Sequence, residues 1–209
     1  MYLVTGTRPD LAHSVSFLSQ FSAYPTQEHH TAVKRVFKYL NGTRSRKLVY
    51  LRQKKLVITG YSDASYANDL STRRSYSGYA FFLGDCCISW MSKKQSSVSV
   101  STTEAEYMAL SLTVRQAIWY IQGCKQLRIT IPVSLLCDNQ STINLTENPI
   151  LSQQTKHIDV HYHFTRERYH NGDFDLGYVP TANNAADLMT KGLTRELHSR
   201  FVTQLGCKD

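Results

Sequence analysis

Apolar residues recur with two periods along this 209-residue chain, and the period changes near Leu48. Before that point the spacing is helical. Leu11, Val15, Phe17, Leu18 and Phe21 fall on one helical face, behind Pro9 and Asp10, which suit a first turn. Tyr24-Pro25-Thr26 breaks that helix and supplies a new cap. Thr26, with Glu28 and His29 behind it, opens a second helix carrying Ala32, Val33, Val36, Phe37 and Leu40. Asn41-Gly42-Thr43 stops it, and Arg44, Arg46 and Lys47 make a basic turn. Two helices of this size cannot bury their apolar faces alone. Residues 1–46 are therefore expected to be an interaction segment that packs on the rest of the chain or on a partner.

From Leu48 the pattern turns strand-like. Leu48-Val49-Tyr50-Leu51 and Leu56-Val57-Ile58-Thr59-Gly60-Tyr61 are expected strands joined by a polar turn at Arg52 to Lys55, and residues 77–83 and 86–91 an expected hairpin around Gly84-Asp85. Tyr107, Leu110, Val114, Ile118 and Ile121 predict a long helix over about 102–123. A buried strand over 132–137, helices over about 139–147 and 157–170, a strand over 174–179 and a helix over about 183–190 follow. This order predicts a mixed α/β sheet with helices on its faces. The expected organisation is a helical segment over 1–46, an α/β domain over 47–195 and a C-terminal tail over 196–209.

Four carboxylates occupy four settings in this pattern. Asp63 and Asp138 end apolar runs, Glu106 lies near the start of the long helix, and Asp187 begins the last one. Acids so placed can converge in space. Like-charge repulsion and desolvation would make convergence ruinous in an apolar core. Hard divalent cations resolve the conflict, and paired metals at such a site activate water against phosphodiesters. Taken singly, each acid has a plainer explanation: Asp63 ends a strand, Asp138 and Asp187 cap helices, and Glu106 sits on a solvated face.

Charge sharpens this picture. With 24 Lys and Arg against 16 Asp and Glu, the chain carries +8 and a pI near 9.3. A basic protein with an acidic cluster suits a polyanionic substrate, so the pattern points to a metal-dependent nuclease. The five cysteines are odd in number, two are adjacent, and no Cys-x-x-Cys occurs, which fits reduced thiols rather than a disulfide framework or zinc site. His157 and His161 have zinc-binding i, i+4 spacing but no evident third ligand. No run of about 18 apolar residues exists to span a membrane, and the opening lacks a signal-peptide pattern. A cytoplasmic or nuclear protein, not a secreted one, is expected.

Several motifs carry a resemblance. Tyr61-Ser62-Asp63-Ala64-Ser65-Tyr66-Ala67, Arg74-Ser75-Tyr76-Ser77-Gly78-Tyr79, Ile88-Ser89-Trp90-Met91-Ser92-Lys93-Lys94-Gln95 and Ser101-Thr102-Thr103-Glu104-Ala105-Glu106-Tyr107 resemble, in the family's order, the ribonuclease H domain of copia-type LTR retrotransposon Pol polyproteins. So do Lys156-His157-Ile158-Asp159, Tyr162-His163-Phe164-Thr165-Arg166-Glu167 and Ala186-Asp187-Leu188-Met189-Thr190-Lys191. Residues about 1–50, with Thr7-Arg8-Pro9-Asp10 and residues 32–40, look like the end of the reverse transcriptase that precedes this domain.

The resemblance implies a ribonuclease H-like five-stranded mixed sheet flanked by helices. It implies cleavage of the RNA strand of an RNA–DNA hybrid with two magnesium ions, manganese serving as a substitute. Asp63, Glu106, Asp138 and Asp187 are then the catalytic, metal-holding acids. Glu104 competes with Glu106, but the family's acid directly precedes the Tyr107-Met108-Ala109 block, and residues two apart on a helix point about 200° apart. Lys93, Lys94 and Gln95, before the long helix, and Asn139 and Gln140, after Asp138, are the implied substrate-binding candidates. The implied partners are the hybrid and the remainder of a reverse transcriptase polyprotein, in a virus-like particle if the element is active. One departure concerns the loop Val179-Pro180-Thr181-Ala182-Asn183-Asn184, which lacks the histidine that many cellular ribonucleases H carry there. The polymerase's paired catalytic aspartates are also absent. A reading from another class stays open: a domesticated retroelement fragment that binds nucleic acid or protein without cutting.

Overall fold

Residues 2–52, 56–148 and 159–208 are described by the structure, a computed structural model. The elements run α1 (Tyr2–Gly6), α2 (Ala12–Ser19), α3 (Gln27–Gly42), β1 (Lys47–Leu48), β2 (Ile58–Ser65), β3 (Tyr76–Leu83), β4 (Cys86–Lys94), α4 (Thr102–Gln126), β5 (Val133–Cys137), α5 (Gln140–Glu147), α6 (Asp159–His170), β6 (Asp175–Tyr178), α7 (Asp187–Thr190), α8 (Arg195–Gln204) and β7 (Cys207–Lys208). The main sheet has the order β4-β3-β2-β5-β6, with β2 antiparallel to β3 and parallel to β5. This is the mixed five-stranded sheet flanked by helices that the motifs imply.

Alternate residues of β3 serve two cores, because successive side chains of a strand point to opposite faces. Ala80 and Phe82 join Leu188, Met189, Phe201 and Leu205 on one face, while Phe81 joins Leu110, Val114 and Leu135 on the other. Helix α4 thus covers one face, and α7 with α8 covers the opposite one. The start of α4 is fixed by its own sequence. Ser101 Oγ accepts from the Glu104 amide at 3.1 Å, and Glu104 Oε2 accepts from the Val100 amide at 2.8 Å.

The expected strand at Leu48–Leu51 does not lie beside β2. Instead β1 pairs antiparallel with β7, Leu48 opposite Cys207. A partner near the far end of the chain leaves no local signal. Residues 53–55 of the expected turn lie outside the described residues. So do Lys156, His157 and Ile158, and with them one half of the His157/His161 pair.

Packing crosses both expected domain boundaries. Ala12 belongs to the same core cluster as Leu188 and Met189, and Trp90 Nε1 donates to the Val4 carbonyl at 2.7 Å. At the other end, the stretch set apart as a tail over 196–209 supplies Phe201, Val202 and Leu205 to that cluster. Their helical spacing puts an apolar stripe on the sheet, which is why α8 docks rather than hangs free. Helix α3 is more peripheral and buries no residue fully. No described helix is long and apolar enough to cross a membrane.

Candidate active site

Parallel pairing builds the site. Because β2 and β5 run side by side, with Ser62 opposite Cys137, the residues that follow, Asp63 and Asp138, emerge at neighbouring strand positions. Helix α4 packs against β2 and brings Glu106 to the same place. The result is three acids, Asp63, Glu106 and Asp138, each of which offers one carboxylate oxygen within 4.8 Å of the other two.

Asp187 arrives from the opposite side of the sheet on α7. That approach depends on Gly78, which stands opposite Asp63 in the β2–β3 register. A Cβ at Gly78 would lie 2.6 Å from Met189 Cβ and 2.7 Å from Thr190 Cγ2, so a side chain there would push α7 off the sheet. Once docked, Thr190 Oγ1 donates to Asp63 Oδ2. Lys191 Nζ sits 2.9 Å from Asp187 Oδ1 and 4.0 Å from Asp63 Oδ2. The loop before α7 is tied in as well. The buried Asn184 donates to the Ser62 carbonyl at 2.9 Å, and Thr181 Oγ1 donates to Asp138 Oδ2 at 2.6 Å.

The electrostatics are those of an acid cluster short of positive charge. Burial, together with the Asp187 and Asp138 charges, raises Asp63 well above the ordinary carboxylate range, although Lys191 and the Thr190 hydroxyl oppose the shift. Burial and then Asp63 and Asp138 push Glu106 up further, against one hydrogen bond from the Ala64 amide. Burial also raises Asp187, with Lys191 opposing. Lys191 is itself raised, since the surrounding carboxylates outweigh its desolvation. Glu106 Oε2 is buried without a hydrogen-bond partner. An all-oxygen donor set with an unused, buried carboxylate oxygen fits a hard divalent cation.

The other sequence candidates divide. Lys93 is exposed. Lys94 is paired with Asp69 at 2.5 Å. Gln95 is buried and turned inward, donating to Ser77 Oγ at 2.8 Å and the Ala105 carbonyl at 3.0 Å. Asn139 caps α5 by accepting from the Thr142 amide at 2.9 Å, while Gln140 is exposed. Glu104 closes the α4 cap rather than joining the cluster. Sequence reasoning assigned no role to Lys191, Thr190 or Asn184. The i, i+4 spacing of Asp187 and Lys191 was a usable signal for the first. The other two act through contacts across the fold, which no spacing reveals.

These observations can be set beside known proteins. No protein-family model matches the chain. Over 202 residues, 96% of the chain, it is 38% identical to the retrovirus-related Pol polyprotein from transposon RE1 of Arabidopsis thaliana. Over 93% of the chain it is 39% identical to the corresponding polyprotein from transposon TNT 1-94 of Nicotiana tabacum. The chain spans only 14% and 15% of the length of these relatives. Among solved structures, the N-terminal RNase H domain of a Mycobacterium tuberculosis protein aligns with 71% of this chain and 98% of its own, at 12% identity and a TM-score of 0.48. In sequence the chain is homologous to a segment of copia-type retrotransposon Pol polyproteins.

Proposed function

We propose that this chain is an endoribonuclease that hydrolyses the RNA strand of RNA–DNA hybrids during retrotransposon reverse transcription. The observation that carries this reading is the cluster of Asp63, Glu106 and Asp138, one oxygen of each within 4.8 Å of the other two, in a basic protein. Kinship with retrovirus-related Pol polyproteins supports it. Asp63, Glu106 and Asp138 would hold one or both metal ions, and Asp187 would complete the set. Two magnesium ions, or manganese in their place, would supply the Lewis acidity that activates water and stabilises the leaving 3′ oxygen. The chain's own residues set the stage. Thr190 orients Asp63, Thr181 orients Asp138, and Lys191 balances part of the charge on Asp187.

Selectivity for RNA would come from 2′-hydroxyl contacts across the shallow minor groove. Of the substrate-binding candidates, Lys93 and Gln140 are the two with exposed side chains. Residues 1–46 are proposed as the link toward the polymerase portion of a longer polyprotein, acting in the cytoplasm or nucleus. The test is incubation of the purified chain with labelled hybrid, in magnesium and in EDTA. The expected result is cleavage of the RNA strand in magnesium alone, leaving 5′-phosphate and 3′-hydroxyl ends. Intact hybrid in magnesium, bound but uncut, would favour a non-catalytic binding module.

A further inference from the structure

Positive charge is concentrated away from the carboxylates. Of the net +8, residues 1–47 contribute +5, seven Lys and Arg against Asp10 and Glu28. Where α3 meets the start of α8 lies an open cavity of about 740 Å³, walled by Arg35, Tyr39, Arg46, Arg195 and His198. Asp10, also on its wall, is already neutralised. Arg8 donates to it through Nε and Nη2 at 2.9 and 2.8 Å, and Tyr39 Oη donates at 2.7 Å. Arg46 Nη1 donates to Tyr39 Oη at 2.8 Å, which holds that guanidinium along the wall. Arg35 and Arg195 are exposed and form no ion pair among the described residues. Planar guanidinium forks facing one cleft match phosphate oxygens.

We propose that this cleft binds backbone phosphates of the same duplex that the carboxylate cluster acts on, an inference that rests on the nuclease reading above. Position supports it. Arg195 follows Lys191 by four residues, so their Cα atoms are at most ~14 Å apart. That span equals the rise of roughly four base pairs, so a duplex seated at the acids reaches the cleft within a few nucleotides. The contact is to phosphate, carries no sequence information and extends the footprint of the hybrid.

The experiment uses the full chain in EDTA, with fluorescent hybrid long enough to cover both regions, read by anisotropy over a range of salt concentrations. Arg35→Gln combined with Arg195→Gln should weaken binding and flatten the slope of log affinity against log salt by about 1.8, two phosphate contacts' worth. A charge-matched control at exposed positions outside the cleft, Lys34→Gln with Lys125→Gln, should flatten it less. Equal melting temperatures establish that both variants are folded. Wild-type affinity and slope in the arginine variant overturn the proposal, and so does an equal change in the control. Inorganic phosphate provides a further arm. If phosphate stabilises the wild-type chain through these arginines while hybrid binding is unaffected by their loss, the cleft serves a free anion and the proposal fails. Cleavage is read separately in magnesium. A hybrid held through the cleft but never cut defeats the nuclease reading while leaving phosphate binding in place.

Discussion

Asp10 and Asp63 are both buried aspartates, and the protein treats them in opposite ways. Around Asp10 every demand of the charge is met: Arg8 binds it through two nitrogens, and the Tyr39 hydroxyl adds a third donor. Asp63 instead has the Thr190 hydroxyl, a lysine at 4.0 Å, and three further acids around it. The first is a brace that ties the N-terminal turn to α3. The second is part of an excess of negative charge that the protein leaves uncompensated. Burial of an acid is therefore a weak sign of function. A buried acid without enough protein cations is a strong one.

Removing each charge separates the two regions most sharply. Asp63→Asn should lower hybrid cleavage by ~10³-fold or more, the several kcal/mol that metal-assisted charge stabilisation supplies. The fold should survive. Glu106→Gln should act the same way, whereas Glu104→Gln should keep most of the activity and loosen the start of α4 by about 1 kcal/mol. The reverse pattern in kinetics would place the wrong glutamate in the cluster. Asp10→Asn should do the opposite of Asp63→Asn. It leaves Arg8 buried without its counter-charge, at about 3–5 kcal/mol of stability, or very roughly 10 °C in melting temperature. Cleavage per folded molecule should persist. Abolished turnover in a folded Asp10→Asn chain would make Asp10 part of the reaction machinery rather than a brace.

A further difference between the two regions lies in pH dependence. A carboxylate whose folded pKa lies above its unfolded value of about 4 binds more protons in the folded state. Stability is then lost as pH rises from that unfolded value through the folded one. For Asp63, raised to about 7 by burial and its acidic neighbours, the window opens near pH 4 and closes near 7, and Glu106 extends it upward. In EDTA stability should fall as pH rises over that range, by at most ~1.4 kcal/mol per pH unit for each group, and the melting temperature should fall with it. Magnesium should flatten the profile, and Asp63→Asn should shrink it. A flat profile in EDTA would mean that the cluster carries no uncompensated charge.

The acids at strand ends and at the first turns of helices are visible in the sequence because strand ends and helix starts leave local marks. Asp63 and Asp138 close apolar runs, and Ser101 with Glu104 announces the start of α4. The sheet could be read for the same reason, from alternation in residues 77–83. What escapes is whatever depends on distant partners. Leu48 pairs with Cys207, Asn184 reaches Ser62, and Thr190 meets Asp63 only because Gly78 lets α7 close on β3. Gln95 illustrates the converse: in sequence it sits among candidate phosphate contacts, yet the fold turns its amide to Ser77 and Ala105. Likewise Phe201, Val202 and Leu205 have no visible target until α7 and β3 present one.

On the proposed reading, Asp63, Glu106 and Asp138 form a divalent-cation site. Titration calorimetry of magnesium and of manganese into the full chain, without nucleic acid, tests it most directly when wild type, Asp63→Asn and Asp10→Asn are compared at a temperature where all three are folded. Wild type and Asp10→Asn should bind saturably, and Asp63→Asn should lose that binding. Equal binding by all three chains, or no saturable binding by wild type, would contradict that reading.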